Sequence, residues 1–186
     1  MNLIILGPQG SGKGTQAKLL AEKFNLSHVE SGQLLRDEAK LPTPKGKLVA
    51  QLLKTGELLP FATVLEVLEP ALNQSQAGFI LDGTPRDVKQ AEYLDWYLNE
   101  RKLIVDKVIF LNIPRTVSLE RLAKRAIVEN RSDDTPAAIE ERLNLYEQRT
   151  KPVIEYYRQQ TKLLEIDGTP TIEVIFNDIV NKLTLA

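Results

Sequence analysis

MNLIILGPQGSGKGTQ, residues 1–16, carries an apolar run, Leu3 to Leu6, into a glycine-rich turn that leaves through Gly12-Lys13-Gly14-Thr15. An uninterrupted apolar run of this kind reads as a buried strand, and the stretch after the turn, Gln16–Phe24, has helical spacing. Gly7, Gly10 and Gly12 let the backbone curl where a Cβ would clash. The curled N–H groups and the positive end of the helix then face an anion, and Lys13 adds a point charge toward the outer phosphates of a nucleotide. Without the lysine such a turn would be only a connection. With it, between a strand and a helix, the turn predicts a phosphate loop. The general pattern G-x-x-x-x-G-K-[ST] wants a hydroxyl residue directly after the lysine. Here Gly14 holds that place and Thr15 comes one step later.

Outward from this loop, the short apolar run recurs at Phe79–Leu81, Val108–Ile113 and Leu163–Ile166, with a weaker fifth at Leu26–Val29. Between these runs, Val64–Leu72, Ala91–Leu98 and Leu119–Ile127 have helical spacing, and a last helix is expected from about Thr171 to Leu183. Apolar strands alternating with helices predict an α/β fold with a central five-stranded parallel sheet covered on both faces. Two stretches break the alternation. Residues 31–59 give helices without a strand, punctuated by Pro42, Pro44, Gly46 and Gly56, and residues from about 128 to 136 are polar and read as a mobile surface loop. Both read as inserts that move over a site on a rigid sheet. The core then comprises residues 1–30, 60–126 and 137–186.

The 186 residues suffice for one compact domain. A formal net charge of −1 offers no bulk attraction to nucleic acid or to acidic membranes. The chain has no cysteine, which excludes disulfides, thiolate zinc sites and a cysteine nucleophile and fits a reducing compartment. No run approaches the ~20 apolar residues of a membrane helix, and Leu3–Leu6 lacks a basic leader and a cleavage signal. A cytoplasmic location is expected.

GPQGSGKGTQ resembles the phosphate loop of the adenylate kinases and related nucleoside monophosphate kinases, in which a glycine follows the lysine and a threonine follows the glycine. Further segments resemble the same family in order. Ser31-Gly32-Gln33-Leu34-Leu35-Arg36 is similar to its T-G-D-x-L-R segment. Asp82-Gly83-Thr84-Pro85-Arg86, then Gln90, is similar to D-G-[FY]-P-R-x-x-x-Q. Arg121 to Arg125 is similar to the R-x-x-x-R lid hinge, Arg131-Ser132-Asp133-Asp134 with Arg142 to the R-x-D-D…R lid pattern, and Asp167-Gly168-Thr169 to a late D-G-T turn. The stretch DGTPRDVKQA is close to that of the short, animal-type members. The resemblance covers essentially the whole chain and implies a P-loop three-layer fold of short-lid type, with residues 31–59 as the monophosphate-binding insert and 127–136 as the lid. It implies the reaction ATP + AMP giving two ADP with magnesium, nucleotides as the only partners, and a monomer.

Transfer between two phosphates needs no strong base, because the attacking phosphate is largely ionised near neutral pH; positioning and charge neutralisation do the work. Arginine forks suit that task. By resemblance, Gly10, Ser11, Gly12, Lys13, Gly14 and Thr15 bind ATP, with Arg121, Arg125 and Pro170. Ser31, Arg36, Glu57, Leu58, Leu59, Gly83, Thr84, Pro85, Arg86 and Gln90 line the AMP site, and Arg131 and Arg142 close over both phosphates. Lys13, Arg86, Arg121, Arg125, Arg131 and Arg142 are the expected catalytic set. Independently, Arg121 and Arg125 stand i,i+4 on a helix and share a face. Asp82 ends a strand at the sheet edge where open parallel sheets bind ligands, and with Thr15 it is placed to hold magnesium through water. Gln90 can donate and accept at adjacent atoms of adenine. Gln90 with Ser31 therefore favours AMP over the pyrimidine acceptors of a UMP/CMP kinase. The retained lysine and arginines disfavour a non-catalytic nucleotide-binding module, and the absence of N-K-x-D disfavours a GTPase.

The chain departs from the family at four places. Gln9 stands where proline is usual, Gln33 replaces an aspartate expected on the metal side, Thr84 replaces a ring beside the acceptor, and Pro170 removes an N–H near the donor base. The short lid without cysteines implies no structural zinc. His28, Trp96, Tyr97, Tyr156, Tyr157 and the Glu140-Glu141 pair are expected to be structural, and Arg101, Arg115, Arg149 and Arg158 to be surface charges.

Overall fold

The structure, a computed structural model, describes residues 1–55, 59–74, 77–129 and 136–185. Five short strands form one sheet: β1 Leu3–Leu6, β2 Ser27–Glu30, β3 Phe79–Asp82, β4 Lys107–Asn112 and β5 Leu163–Asp167. Every pairing is parallel and the order is β2-β3-β1-β4-β5. The centre is the most apolar part. All residues of β1 and β3 are buried, whereas the edge strands β2 and β5 each bury a single residue. The register sets Leu3 beside Ile80 and Lys107, and Leu6 beside Phe110.

Side chains alternate across the pleat into two cores. Leu3, Ile5, Ile80, Ile109, Leu111 and Ile166 face Ala17, Leu20 and Ala21 of α1 (Lys13–Phe24) and Ile175 and Ile179 of α9 (Ile172–Leu185). Ile4, Leu6, Phe79, Leu81, Val108 and Phe110 face the opposite layer. That layer contains α2 (Ser31–Glu38), α3 (Pro44–Thr55), α4 (Phe61–Asn73), α5 (Val88–Asn99) and α8 (Lys151–Gln159). A separate cluster of Leu122, Ile139 and Leu143 joins α6 (Arg115–Glu129) to α7 (Pro136–Leu145). Arg115 anchors the start of α6 to α7 by donating to Glu140 and Asn144. A π-helical stretch, Tyr146–Thr150, links α7 to α8 without a break.

Each strand expected from the sequence is present, the weak fifth as β2, with ends shifted by at most a residue or two. Helices α1, α4, α5 and α6 begin earlier than their apolar spacing suggested. α1 starts at Lys13, because its polar first turn carries no hydrophobic signal. Helices α2 and α3 fill the strandless stretch. The chain leaves β1 toward one edge of the sheet and β4 toward the other. The carboxyl ends of these central strands thus mark the switch point where such sheets bind ligands.

Candidate functional site

The turn after β1 ends in Gly12, the N-cap of α1, with φ 91° and ψ 14°. Only glycine takes that conformation freely. Because the cap has no side chain, the unpaired N–H groups of the first turn stay open toward an anion. Lys13 Nζ donates to Gly7 O and Pro8 O, both at 2.9 Å, which holds the ammonium over the loop. Ser11 is fully buried beneath it, and Gly14 and Thr15 lie exposed on the first turn of α1. Gln9 Oε1 is buried without a hydrogen-bond partner among the described residues, and nothing in the structure explains this residue.

Next to this loop, Arg121 of α6 spans three segments. Its Nη1 donates to Gly168 O at 2.9 Å and reaches Gly10 O at 3.5 Å, and its Nη2 donates to Thr169 O at 3.1 Å. The D-G-T turn is itself fastened by Asp167 Oδ1, which accepts from the Thr169 N–H at 2.9 Å and its hydroxyl at 2.7 Å. These bonds and the nearby Arg121 charge hold the Asp167 carboxyl below the usual aspartate value. Pro170 follows, exposed. Gln16 also serves this turn: its Nε2 donates to Ile172 O at 2.9 Å.

A second set of motif residues is built on the end of β3. Asp82 is 7% exposed there, and Oδ2 lies 3.9 Å from His28 Nε2, which makes no hydrogen bond among the described residues. Ser31 is buried at the start of α2, and its hydroxyl donates to Asp82 O at 3.0 Å. Gly83 has φ 85°, and a Cβ there would stand 2.7 Å from Ser31 Oγ, so both its conformation and its neighbour require glycine. The next residues turn the chain through a cis Thr84–Pro85 bond. Thr84 is 2% exposed, and its Oγ1 is buried without a hydrogen-bond partner among the described residues.

Arg86 Nε donates to Gly83 O at 2.8 Å, and the Arg86 N–H donates to Gln90 Oε1 at 2.8 Å. The Asp87 side chain caps α5 by accepting from the Gln90 N–H at 2.8 Å. The Arg86 side chain stays open to water on one side of a concave wall. Even so, the protein around it pushes the guanidinium below the ordinary arginine range. Asp82 pulls the other way, and the charges of Arg142 and Arg36 push it down further. Arg36 is held by Gln33 Oε1 at 2.9 Å and Glu30 Oε1 at 3.4 Å.

Several expectations change in detail. Gln33 is engaged within its own helix. It bridges Arg36 and Asp37 along α2, donating to Asp37 Oδ2 at 2.9 Å. Leu59 packs its side chain into the core, so only its backbone is placed to meet a ligand. Glu57, Leu58, Arg131 and the Arg125 side chain lie outside the described residues, as do 130–135 of the expected lid. Arg101, Arg115 and Arg158 each pair with an acid away from this cleft. Tyr97 stacks under Arg101 and bonds Glu69, and Tyr156 and Tyr157 donate to Asp95; all three are packing residues, whereas Trp96 is 53% exposed. Thr150, which sequence reasoning passed over, donates to Arg86 O at 2.9 Å.

A glycine-capped helix start carrying a lysine, set at the switch point of a parallel sheet, defines a P-loop nucleotide-binding protein. Beyond the end of β3, the charges of Arg36 and Arg142 act on the Arg86 guanidinium. The adenylate kinase family model matches residues 5–162. The chain is 41% identical to an adenylate kinase of Xylella fastidiosa over 182 residues, 97% of each chain. It is 39% identical to one of Xanthomonas campestris over 181 residues, covering 96% of this chain and 97% of the other. A relative named adenylate kinase from Clostridium tetani is 34% identical over a 212-residue alignment covering 98% of each. The chain belongs to the adenylate kinase family and is a phosphotransferase.

Proposed function

We propose that this enzyme moves a phosphoryl group reversibly from ATP to AMP, giving two ADP, and so balances the adenine nucleotides. The observation that carries the reading is Arg86. Its backbone is fixed, and its guanidinium is held below the ordinary arginine range first by burial and then by repulsion from Arg142 and Arg36, although Asp82 attracts it. A dianionic acceptor phosphate relieves that repulsion. Lys13 and the open N–H groups of α1 draw the outer phosphates of the donor, and Arg121 and Arg125 hold that nucleotide from α6 beside the turn containing Pro170. Arg36 and Arg86 orient the acceptor, and Arg131 and Arg142 close over the charge in flight.

Magnesium suits the groups present. A carboxylate at the sheet end and the Thr15 hydroxyl are hard oxygen donors, and this ion is held by one or two such groups together with phosphates and water. No cluster of three or more His, Asp or Glu among the described residues would hold a metal by itself. The bound ion would neutralise phosphate charge. Residues 31–59 act as the acceptor arm and 127–136 as the closing lid over a core formed by the remainder. No helix among the described residues is long and apolar enough to cross a membrane. We read the enzyme as a cytoplasmic monomer without nucleic-acid partners.

Coupled ADP formation from ATP with AMP, UMP, CMP or GMP tests the reading. AMP should be the fastest acceptor, and Lys13→Ala should abolish turnover. Faster turnover of UMP or CMP would overturn the acceptor assignment, and wild type no faster than the lysine variant would overturn catalysis.

A further inference from the structure

The backbone of Arg86 is held from both sides by two side chains. Its N–H donates to Gln90 Oε1 at 2.8 Å, and its carbonyl accepts from Thr150 Oγ1 at 2.9 Å. Gln90 comes from the helix that follows Arg86. Thr150 lies 64 residues away in sequence, in the π-helical stretch between α7 and α8. A threonine inside a regular helix turns its hydroxyl back to the carbonyl one turn earlier. Here Tyr146 O instead accepts the Lys151 N–H, the wider spacing of a π turn, and the Thr150 hydroxyl points outward to Arg86. The same unbroken run of helix carries Arg142, whose charge acts on the Arg86 guanidinium.

We propose that Thr150 is a positioning residue for phosphoryl transfer: its hydroxyl fixes the peptide plane of Arg86 and locks that arginine to the helix that carries Arg142. The inference rests on the reading of Arg86 as an acceptor-phosphate ligand. A guanidinium sits at the end of a long side chain, so a small tilt of its peptide moves the fork away from a bidentate fit. The π insertion supplies the one hydroxyl that prevents the tilt, and it links two of the arginines meant to hold the same phosphate.

The test is steady-state kinetics of Thr150→Val and Thr150→Ser, with AMP varied at saturating ATP and the reverse, beside Arg86→Ala and the Thr150→Val/Arg86→Ala double variant. Thr150→Val keeps the shape and loses the hydroxyl. It should lower kcat/KM for AMP about fivefold, the loss of one hydrogen bond, while KM for ATP stays within about twofold. Thr150→Ser should restore the AMP kinetics to within about twofold of wild type. In the Arg86→Ala background, Thr150→Val should add little, because there is no guanidinium left to position. Thr150→Val indistinguishable from wild type beside a crippled Arg86→Ala would overturn the inference and leave the role of Arg86 standing. Thr150→Val impairing ATP and AMP equally, or Thr150→Ser failing as Thr150→Val does, would also overturn it. Unaltered AMP kinetics in Arg86→Ala would overturn the underlying reading instead. Should Thr150→Val not fold, Thr150→Ala takes its place with the same outcomes.

Discussion

Gly14, in the first turn of α1, faces Asp82 so closely that a Cβ placed on it would stand 3.4 Å from Oδ2. The glycine that sets this phosphate loop apart and the carboxylate at the end of β3 are therefore neighbours. A hydroxyl directly after the lysine would meet the carboxylate at the end of β3, and glycine leaves that carboxylate clear while the hydroxyl moves to Thr15. Alanine at 14 just fits and removes a helical glycine, which stabilises a helix by up to about 1 kcal/mol. Gly14→Ala should raise Tm by about 2–4 °C for a chain of this size. Gly14→Ser, whose Oγ reaches past the Cβ to Asp82, should lower kcat about tenfold and raise the magnesium concentration needed for half-maximal rate. Calorimetry and a magnesium titration of turnover check the pair.

Arg86 places function against stability. Burial and the charges of Arg142 and Arg36 disfavour its charged form, and Asp82 offsets this only in part. The side chain reaches water, so the penalty is modest. Arg86→Gln should therefore melt no lower than wild type without nucleotide. It should nevertheless lose about 10²- to 10³-fold in kcat, the scale expected when a fixed donor to developing charge is removed. Adding AMP should raise Tm for wild type and much less for the variant.

The centre of this fold could be read from the chain because β1 and β3 are buried throughout and show as bare apolar runs. β2 was faint because only Val29 is buried in it. The family motifs pointed to Lys13, Arg86 and Arg121, but they did not foretell how each is held. Gln33 was assigned by its place in a motif, whereas its helical neighbours at i+3 and i+4, Arg36 and Asp37, are what it touches; that spacing was open to reading. Thr150 was not open to reading. Its partner is distant in sequence, and nothing in YEQRT marks a π turn.

Gln90 has two tasks that substitution can separate. Its Oε1 accepts the Arg86 N–H, a structural bond, and its amide group is what remains to read the acceptor base. Gln90→Glu keeps the acceptor and loses the amide donors. It should melt within about 2 °C of wild type yet lose discrimination between AMP and other monophosphates. Gln90→Leu removes both and leaves a part-buried N–H unpaired, which destabilises by about 1–3 kcal/mol. Thermal melts with a panel of acceptors distinguish the two variants.

Asp167 ties acidity to the donor side. The Thr169 N–H and hydroxyl bond its carboxylate, and Arg121 adds a favourable charge, so its folded-state pKa lies below the ordinary aspartate value of 3.8. A depressed carboxylate stabilises the fold fully above the unfolded aspartate value, and that contribution disappears as pH falls through the folded pKa. The window is thus below about pH 4, and the pH dependence near neutrality should not involve this residue. A carbon-detected titration of the Asp167 carboxyl should give a midpoint under 3.8. Asp167→Asn keeps an oxygen for the Thr169 turn while losing the charge, so it should flatten the acid limb of stability and leave KM for ATP within about twofold. Asp167→Ala frees the turn whose Gly168 and Thr169 carbonyls Arg121 grips, and should raise KM for ATP about fivefold while KM for AMP holds. Equal effects of the two substitutions on ATP would show that the charge, not the turn, is what the donor site uses.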